Sequence, residues 1–234
     1  MATQFITSTD GVQIAYEIQG KGPALCLLHG FSGNRTIWAE YGWIERLRSQ
    51  FTVIAADMRG CGESDAPLDP LAYSVKDHCA DVQAISNVCG IDTFLLWGWS
   101  FGATVGLHMA ATYPCRVEKA VIAGTYFGRI FTEDYVQQRV TQAGTPIERA
   151  RWSGLALWPS IEPADLRCPT LLYTGTADGN VRVQLEKQRN AIEMAGLSLH
   201  VFEGFKHGQL ISRQDEVAGV VLPFLNEPPA GPGS

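Results

Sequence analysis

The sequence predicts an α/β fold in which helices flank both faces of a mainly parallel sheet. Three observations predict it. Short continuous apolar runs, such as residues 24–28, 52–56 and 94–97, have the length and composition of strands buried on both faces. Segments with apolar residues at helical spacing alternate with these runs, the order that builds parallel neighbours through right-handed crossovers. Several runs end in a polar, glycine-bearing loop, as at residues 29–34, 57–64 and 174–180. In such sheets ligands bind beyond the carboxyl ends of the strands.

Each element has its own signal. Residues 5–8 read as a short strand, and Asp10-Gly11 is a hairpin turn leading into the alternating run 12–18. Gly20, Gly22 and Pro23 break the chain before the strand 24–28. A helix around 43–49 precedes the strand 52–56. Residues 74–89 read as a helix, with Val75, Cys79, Val82 and Ile85 on one face, polar residues between them, and Gly90 at its end. The run 94–97 enters Gly98-Trp99-Ser100-Phe101-Gly102, and a small-residue helix over 102–111 leaves it. A strand at 119–124 follows. From 126 to 164 the strand–helix rhythm stops, and helices are predicted over 132–143 and 146–156. The rhythm resumes with a strand at 170–173, a helix at 182–194, a strand at 197–202 and a last helix at 210–225. Residues 1–125 and 165–226 thus read as one core, 126–164 as a small insertion, and 227–234 as a flexible tail rich in Pro and Gly.

Composition narrows the function. A chain of 234 residues, 46% hydrophobic and 18% charged, suits one domain with a large core. The net charge of −6 and the lack of a basic run argue against a nucleic-acid partner. No apolar stretch is long enough to cross a bilayer, and no basic segment precedes an apolar one, so neither a membrane partner nor an export signal is expected. The 6 cysteines form no C-x-x-C pair, which argues against zinc. Several lie in apolar runs as small hydrophobes, and free thiols point to a cytoplasmic location.

The stretch around Ser100 is strand, sharp turn, helix. Glycines on both sides permit a strained turn with close backbone approach. Such a turn exposes the hydroxyl above the sheet edge and aims the next helix's N–H groups at the same point. A serine hydroxyl is a weak nucleophile and needs a base within hydrogen-bond reach. His207 lies in a glycine-flanked loop after the last strand. His29 opens a loop at the same edge, His78 and His108 fall on helices and His200 in a strand, all positions of structural residues. The base needs an acid to fix its tautomer. Asp178 follows a strand and precedes Gly179. Asp57 is the competing carboxylate, in a loop with Arg59 and Gly60 whose own turn it can hold. All these loops fall at the strands' carboxyl ends, where chance would divide them between two edges.

H-G-F at 29–31, D-M-R-G-C-G-E-S at 57–64, G-W-S-F-G at 98–102, G-T-A-D at 175–178 and K-H-G at 206–208 occur in the order nucleophile, acid, histidine. With them the chain, from residue 5 to 225, resembles the α/β-hydrolase fold family in its esterase, lactonase and cofactor-free perhydrolase branch. The resemblance implies an eight-stranded, mainly parallel sheet with a short helical cap over 126–164. It implies Ser100, Asp178 and His207 as a catalytic triad, the backbone N–H groups of Phe31 and Phe101 as oxyanion donors, and no metal or organic cofactor. Serine at the elbow sets the chain apart from haloalkane dehalogenases and epoxide hydrolases, whose family pattern has Asp there. No acid directly follows the strand ending at Gly124, the other position that some members use.

The cap segment is shorter than is usual in the family. Of its aromatics, Phe127, Trp152 and Trp158 are expected to bind substrate. Trp99, beside the nucleophile, either joins them or packs under the elbow. The expected activity is hydrolysis of a small carboxylic ester or lactone through an acyl-enzyme. Two further readings share the same motifs. One is a small-molecule receptor or signalling regulator on a hydrolase fold. The other is a perhydrolase in which peroxide replaces water as acyl acceptor.

Overall fold

Among the residues described by the structure, a computed structural model covering 2–228, eight strands form one sheet in the order β1-β2-β4-β3-β5-β6-β7-β8. Residues 229–234 of the expected tail lie outside the described residues. The strands are β1 (Gln4–Thr7), β2 (Gln13–Gly20), β3 (Ala24–Leu28), β4 (Thr52–Ala56), β5 (Phe94–Trp99), β6 (Val117–Ala123), β7 (Thr170–Gly175) and β8 (Ser198–Phe202). β2 runs antiparallel to both its neighbours, and every other pairing is parallel.

The topology makes the site. From β3 the chain passes to β4 on one side and later returns to β5 on the other. A crevice opens where neighbouring strands send their connections in opposite directions. Leu28 pairs with Gly98, so β3 and β5 end almost level, and the loops that follow them face each other across that crevice.

The helices are α1 (Ile37–Glu40), α2 (Trp43–Leu47), α3 (Val75–Val88), α4 (Phe101–Thr112), α5 (Glu133–Gln142), α6 (Pro146–Leu155), α7 (Gly179–Met194), α8 (Gln209–Ser212) and α9 (Gln214–Asn226). Alternate strand residues divide the core in two. Cys26, Leu28, Leu96 and Ile122 face α3, α4 and α7. Leu25, Leu27, Trp97 and Tyr173 face α2, α8 and α9. α4 is buried from Phe101 to Ala110, which explains its small, almost wholly apolar sequence. α3 starts where the Ser74 hydroxyl accepts the Asp77 N–H at 3.2 Å.

Two helices, α5 and α6, fill the insertion between β6 and β7. Thr132 and Thr145 cap them, the latter with Pro146 in the first turn. They end within a residue of expectation. The last helix differs. It is α8 and α9, because Arg213, at φ −89° and ψ 69°, leaves the helical region between them. The turn α1 lacks enough apolar periodicity to be read from sequence. Among the described residues no helix is long and apolar enough to cross a membrane.

Candidate active site

Ser100 is the one non-glycine among the described residues with positive φ, at 56°. That conformation is strained for an L-residue, and tight surroundings hold it. The Ser100 N–H donates to Ala123 O at 2.7 Å, and the Gly102 N–H to His29 O at 3.0 Å. A Cβ on Gly98 would overlap the Gly102 carbonyl, and one on Gly102 would overlap the Leu28 carbonyl. The G-x-S-x-G spacing is therefore a packing requirement: both glycines let β3, β5 and α4 touch backbone to backbone.

His207 Nδ1 lies 2.8 Å from Asp178 Oδ1, and His207 Nε2 lies 2.8 Å from Ser100 Oγ. A carboxylate only accepts, so Nδ1–H donates to Asp178, and Nε2 is left to accept from the Ser100 hydroxyl. Asp178 is buried, and its Oδ2 accepts from the Thr174 hydroxyl at 2.8 Å. The Trp99 indole N–H donates to His207 O at 3.2 Å, and a Cβ on Gly124 would sit 2.8 Å from the His207 ring. The histidine is thus fixed from three sides while its ring stays partly open to solvent.

Asp57 is held elsewhere. One oxygen accepts the Arg35 N–H at 2.6 Å, and the other pairs with the Arg35 guanidinium and accepts the Glu63 N–H at 2.9 Å. A Cβ on Gly62 would overlap its carboxylate. The competing carboxylate therefore ties its own loop to the loop after β3. His29 reinforces the same junction: its Nε2 accepts the Met58 N–H at 3.0 Å, and its Nδ1–H donates to Gly30 O at 2.7 Å. Burial pushes its imidazole down to about 4, so it stays neutral. Arg59 is also structural. It makes a two-pronged pair with Asp81 at 2.8 and 2.6 Å and reaches Asp10 at 2.7 Å.

Phe31 and Phe101 flank the serine. Phe101 is the first residue of α4, so no earlier helical turn accepts its N–H. Among the described residues none accepts the Phe31 N–H. The Phe31 ring is clamped by consecutive residues of α6. Trp152 stacks on it with ring centres 4.0 Å apart, and the Arg151 guanidinium carbon lies 4.0 Å over the ring centre. Two groups so close to one ring cannot share a face. Arg151 also donates to Phe31 O at 2.6 Å.

Above Ser100 lies a cavity of about 830 Å³ between the sheet edge and α5–α6. Ser100, His207, Thr104 and Thr125 line one part of it, and Phe31, Phe101, Ile130, Phe131, Tyr135 and Trp152 another. Of the aromatics expected at substrate, Trp99 and Trp152 face the cavity, and Phe127 and Trp158 do not. Phe127 is buried, its backbone bonded in both directions by the Gln188 amide of α7. Trp158 packs behind Phe101 and Phe131, with its indole N–H on Tyr73 O at 2.9 Å. A short helical segment has to bury part of its own apolar surface to dock on the sheet, and these two buried rings do so. Thr104 and Thr125, whose hydroxyls meet at 2.9 Å beside the serine, were not singled out by sequence. The position of Thr125 just past β6 was the available signal.

A family profile described as alpha/beta hydrolase fold matches residues 23–150. The chain belongs to the α/β-hydrolase fold family. Over 89% of the chain and 95% of the relative, it is 26% identical to pimeloyl-[acyl-carrier protein] methyl ester esterase of Stenotrophomonas maltophilia (strain R551-3). It is 32% identical to bifunctional epoxide hydrolase 2 of Sus scrofa over 53% of the chain and 22% of that protein. The chain spans less than two-thirds of the length of several curated relatives that it matches. An esterase of Exiguobacterium antarcticum superposes with a TM-score of 0.80 at 21% identity, covering 97% of this chain and 100% of that one. Residues 126–164 join β6 to β7 and place α5 and α6 over the cavity.

Proposed function

We propose that this α/β-hydrolase fold protein is a serine hydrolase that cleaves a small carboxylic ester or lactone through an acyl-enzyme. The observation that carries the reading is the unbroken hydrogen-bonded relay Ser100–His207–Asp178 at the head of a strained turn. Ser100 is the nucleophile. His207 Nε2 takes its proton as Oγ attacks the carbonyl carbon, and Asp178 stabilises the imidazolium that forms. The carbonyl oxygen becomes an oxyanion between the Phe31 and Phe101 N–H groups, each worth on the order of 3 kcal/mol. The imidazolium then protonates the departing alkoxide. Water, deprotonated by His207, attacks the acyl-serine, and the acid leaves. No step calls for a metal or organic cofactor.

Serine at the elbow supports acyl transfer over the epoxide chemistry of the name carried by one relative. Attack of a hydroxyl on an epoxide would leave an ether on the enzyme, which water does not cleave at neutral pH. An acyl-serine is an ester and turns over.

The test is labelling and turnover. A fluorophosphonate should modify Ser100 alone, and Ser100→Ala should keep its fold while losing at least about 10³-fold in ester hydrolysis. Labelling at another serine, or full turnover by the variant, would overturn the reading.

A further inference from the structure

Among the described residues that line the cavity, Arg139 is the only Arg, Lys, Asp or Glu. Its guanidinium carbon lies 5.0 Å from the Trp152 ring centre and 5.5 Å from that of Tyr135. Among the described residues it makes no ion pair, whereas Arg46, Arg48, Arg182 and Arg213 on the outer surface each meet a carboxylate. The carboxylates of its own helix, Glu133 and Asp134, stand in the first turn, and one turn away from Arg139 on either side are Tyr135, Val136, Gln142 and Ala143. The chain as a whole has six more acidic than basic residues, Asp+Glu 24 against Lys+Arg 18. Arg116, Arg129, Arg149, Arg151 and Arg167 likewise pair with no carboxylate among the described residues, and Arg139 differs from them in lining the cavity. A guanidinium laid on aromatic faces is held in place while its in-plane N–H edge stays open to a forked acceptor. A carboxylate has the geometry to match that fork, as a phosphate does, and is the anion that a small ester or lactone can itself carry. The cavity presents no Asp or Glu among its described lining residues to repel an incoming anion.

We infer that Arg139 is the anion-recognising residue of the cavity, and that the substrate is an ester or lactone carrying a second, free carboxylate. The inference rests on the hydrolase reading above and narrows its substrate class. Trp152 connects the two ends of the substrate: one group stacked with it, Phe31, belongs to the loop beside the nucleophile, and another, Arg139, holds the acid.

The experiment compares acidic esters with their neutral, methyl-capped counterparts in the parent protein and in Arg139→Gln. One arm puts the acid on the acyl side, with 4-nitrophenyl hydrogen glutarate against 4-nitrophenyl methyl glutarate. The other puts it on the leaving side, with 4-acetoxybenzoate against its methyl ester. Arg139 is exposed, so the variant should fold. In one arm the acid-to-neutral ratio of kcat/KM should be about fivefold higher in the parent, the size of an exposed ion pair. Arg139→Lys should fall between, and the parent's preference should shrink as salt is raised to about 0.5 M. Equal ratios in both proteins, in both arms, overturn the inference and leave the hydrolase reading standing.

A binding measurement separates the two readings. Calorimetry with methyl hydrogen glutarate, and dimethyl glutarate as control, is run on Ser100→Ala and on Ser100→Ala with Arg139→Gln. Tighter binding of the acid that is lost with Arg139 supports the anion site even if no ester is hydrolysed. Equal binding of acid and diester overturns it.

Discussion

The elbow beneath Ser100 and the cap above it are held together by different means. At the elbow, backbone meets backbone: Gly98 and Gly102 have no room for a methyl group, and the turn is pinned by hydrogen bonds to Ala123 and His29. In the segment 126–164 side chains do most of the holding, with one close backbone approach at Gly154, where a Cβ would overlap the Pro70 carbonyl oxygen. α5 buries Val136 alone, and α6 docks through Trp152, Leu155 and its Arg151 hydrogen bond to the loop below. Backbone contact admits few substitutions and fixes atoms to fractions of an ångström, as bond-making requires. Side-chain docking tolerates replacement more readily.

The largest effect should come from the relay. Asp178→Asn should lower kcat/KM by about 10⁴-fold, because an amide favours the wrong tautomer and withdraws the charge that stabilises imidazolium. Asp57→Asn, assayed as folded protein, should stay within about tenfold of the parent, its cost appearing as lost stability. The reverse order of effects would mean that Asp57 serves His207.

Next in size is the contrast between glycines. Gly102→Ala should destabilise by about 3 kcal/mol or more, or fail to fold, since its methyl group meets backbone that cannot yield. Gly144→Ala, between α5 and α6, has only a glutamate oxygen at 3.8 Å nearby and should stay within about 0.5 kcal/mol. Urea unfolding measures both. Similar losses at the two sites would erase the distinction between elbow and cap.

Within the cap, Trp152 and Ile130 should separate wall from support. Each acyl carbon added should raise kcat/KM by up to about fourfold until the cavity fills, at about 0.8 kcal/mol per methylene. Ile130→Ala should flatten that rise and spare acetyl esters. Trp152→Ala removes the stack on Phe31 as well, so it should lower kcat/KM about tenfold at every acyl length. A purely length-dependent loss for Trp152→Ala would show that the stack does not support catalysis.

The last contrast is in stability against pH. Burial pushes His29 and His108 down to about 4, and His78 well below its ordinary value. A depressed histidine is neutral in the fold and protonates in the unfolded chain, so the unfolded state binds more protons below about pH 6.5. Stability should be full above that value and fall as pH drops toward 4, by up to about 1.4 kcal/mol per pH unit for each histidine. His78 Nε2 is buried without a partner among the described residues, and its ring packs edge-on to Phe101. His78→Phe should therefore hold stability at pH 7 and make the acid limb shallower. An unchanged limb in unfolding curves at pH 7, 6 and 5 would reassign the acid sensitivity to other groups.

By itself the sequence determined the sheet, the turn at Ser100, and the placing of Ser100, Asp178 and His207 at one sheet edge. These are local properties. An apolar run of five residues has few alternatives to a buried strand, and glycines two residues either side of a serine state a steric requirement that any fold must meet. Asp57 could also be read as a loop-holder, since its neighbours Arg59, Gly60 and Gly62 mark a self-contained turn. The tertiary structure alone decided what the cap side chains do. Phe127, Trp152 and Trp158 are alike in sequence, but docking sends one to α7, one onto Phe31 and one behind Phe101. Arg151 and Arg139 gave no signal for the same reason. Arg151 acts on Phe31, 120 positions away, and Arg139 reaches the cavity by lying over Trp152 of the next helix. A side chain's partner across such a separation is fixed by the packing of whole helices on the sheet, and no spacing within the chain encodes it.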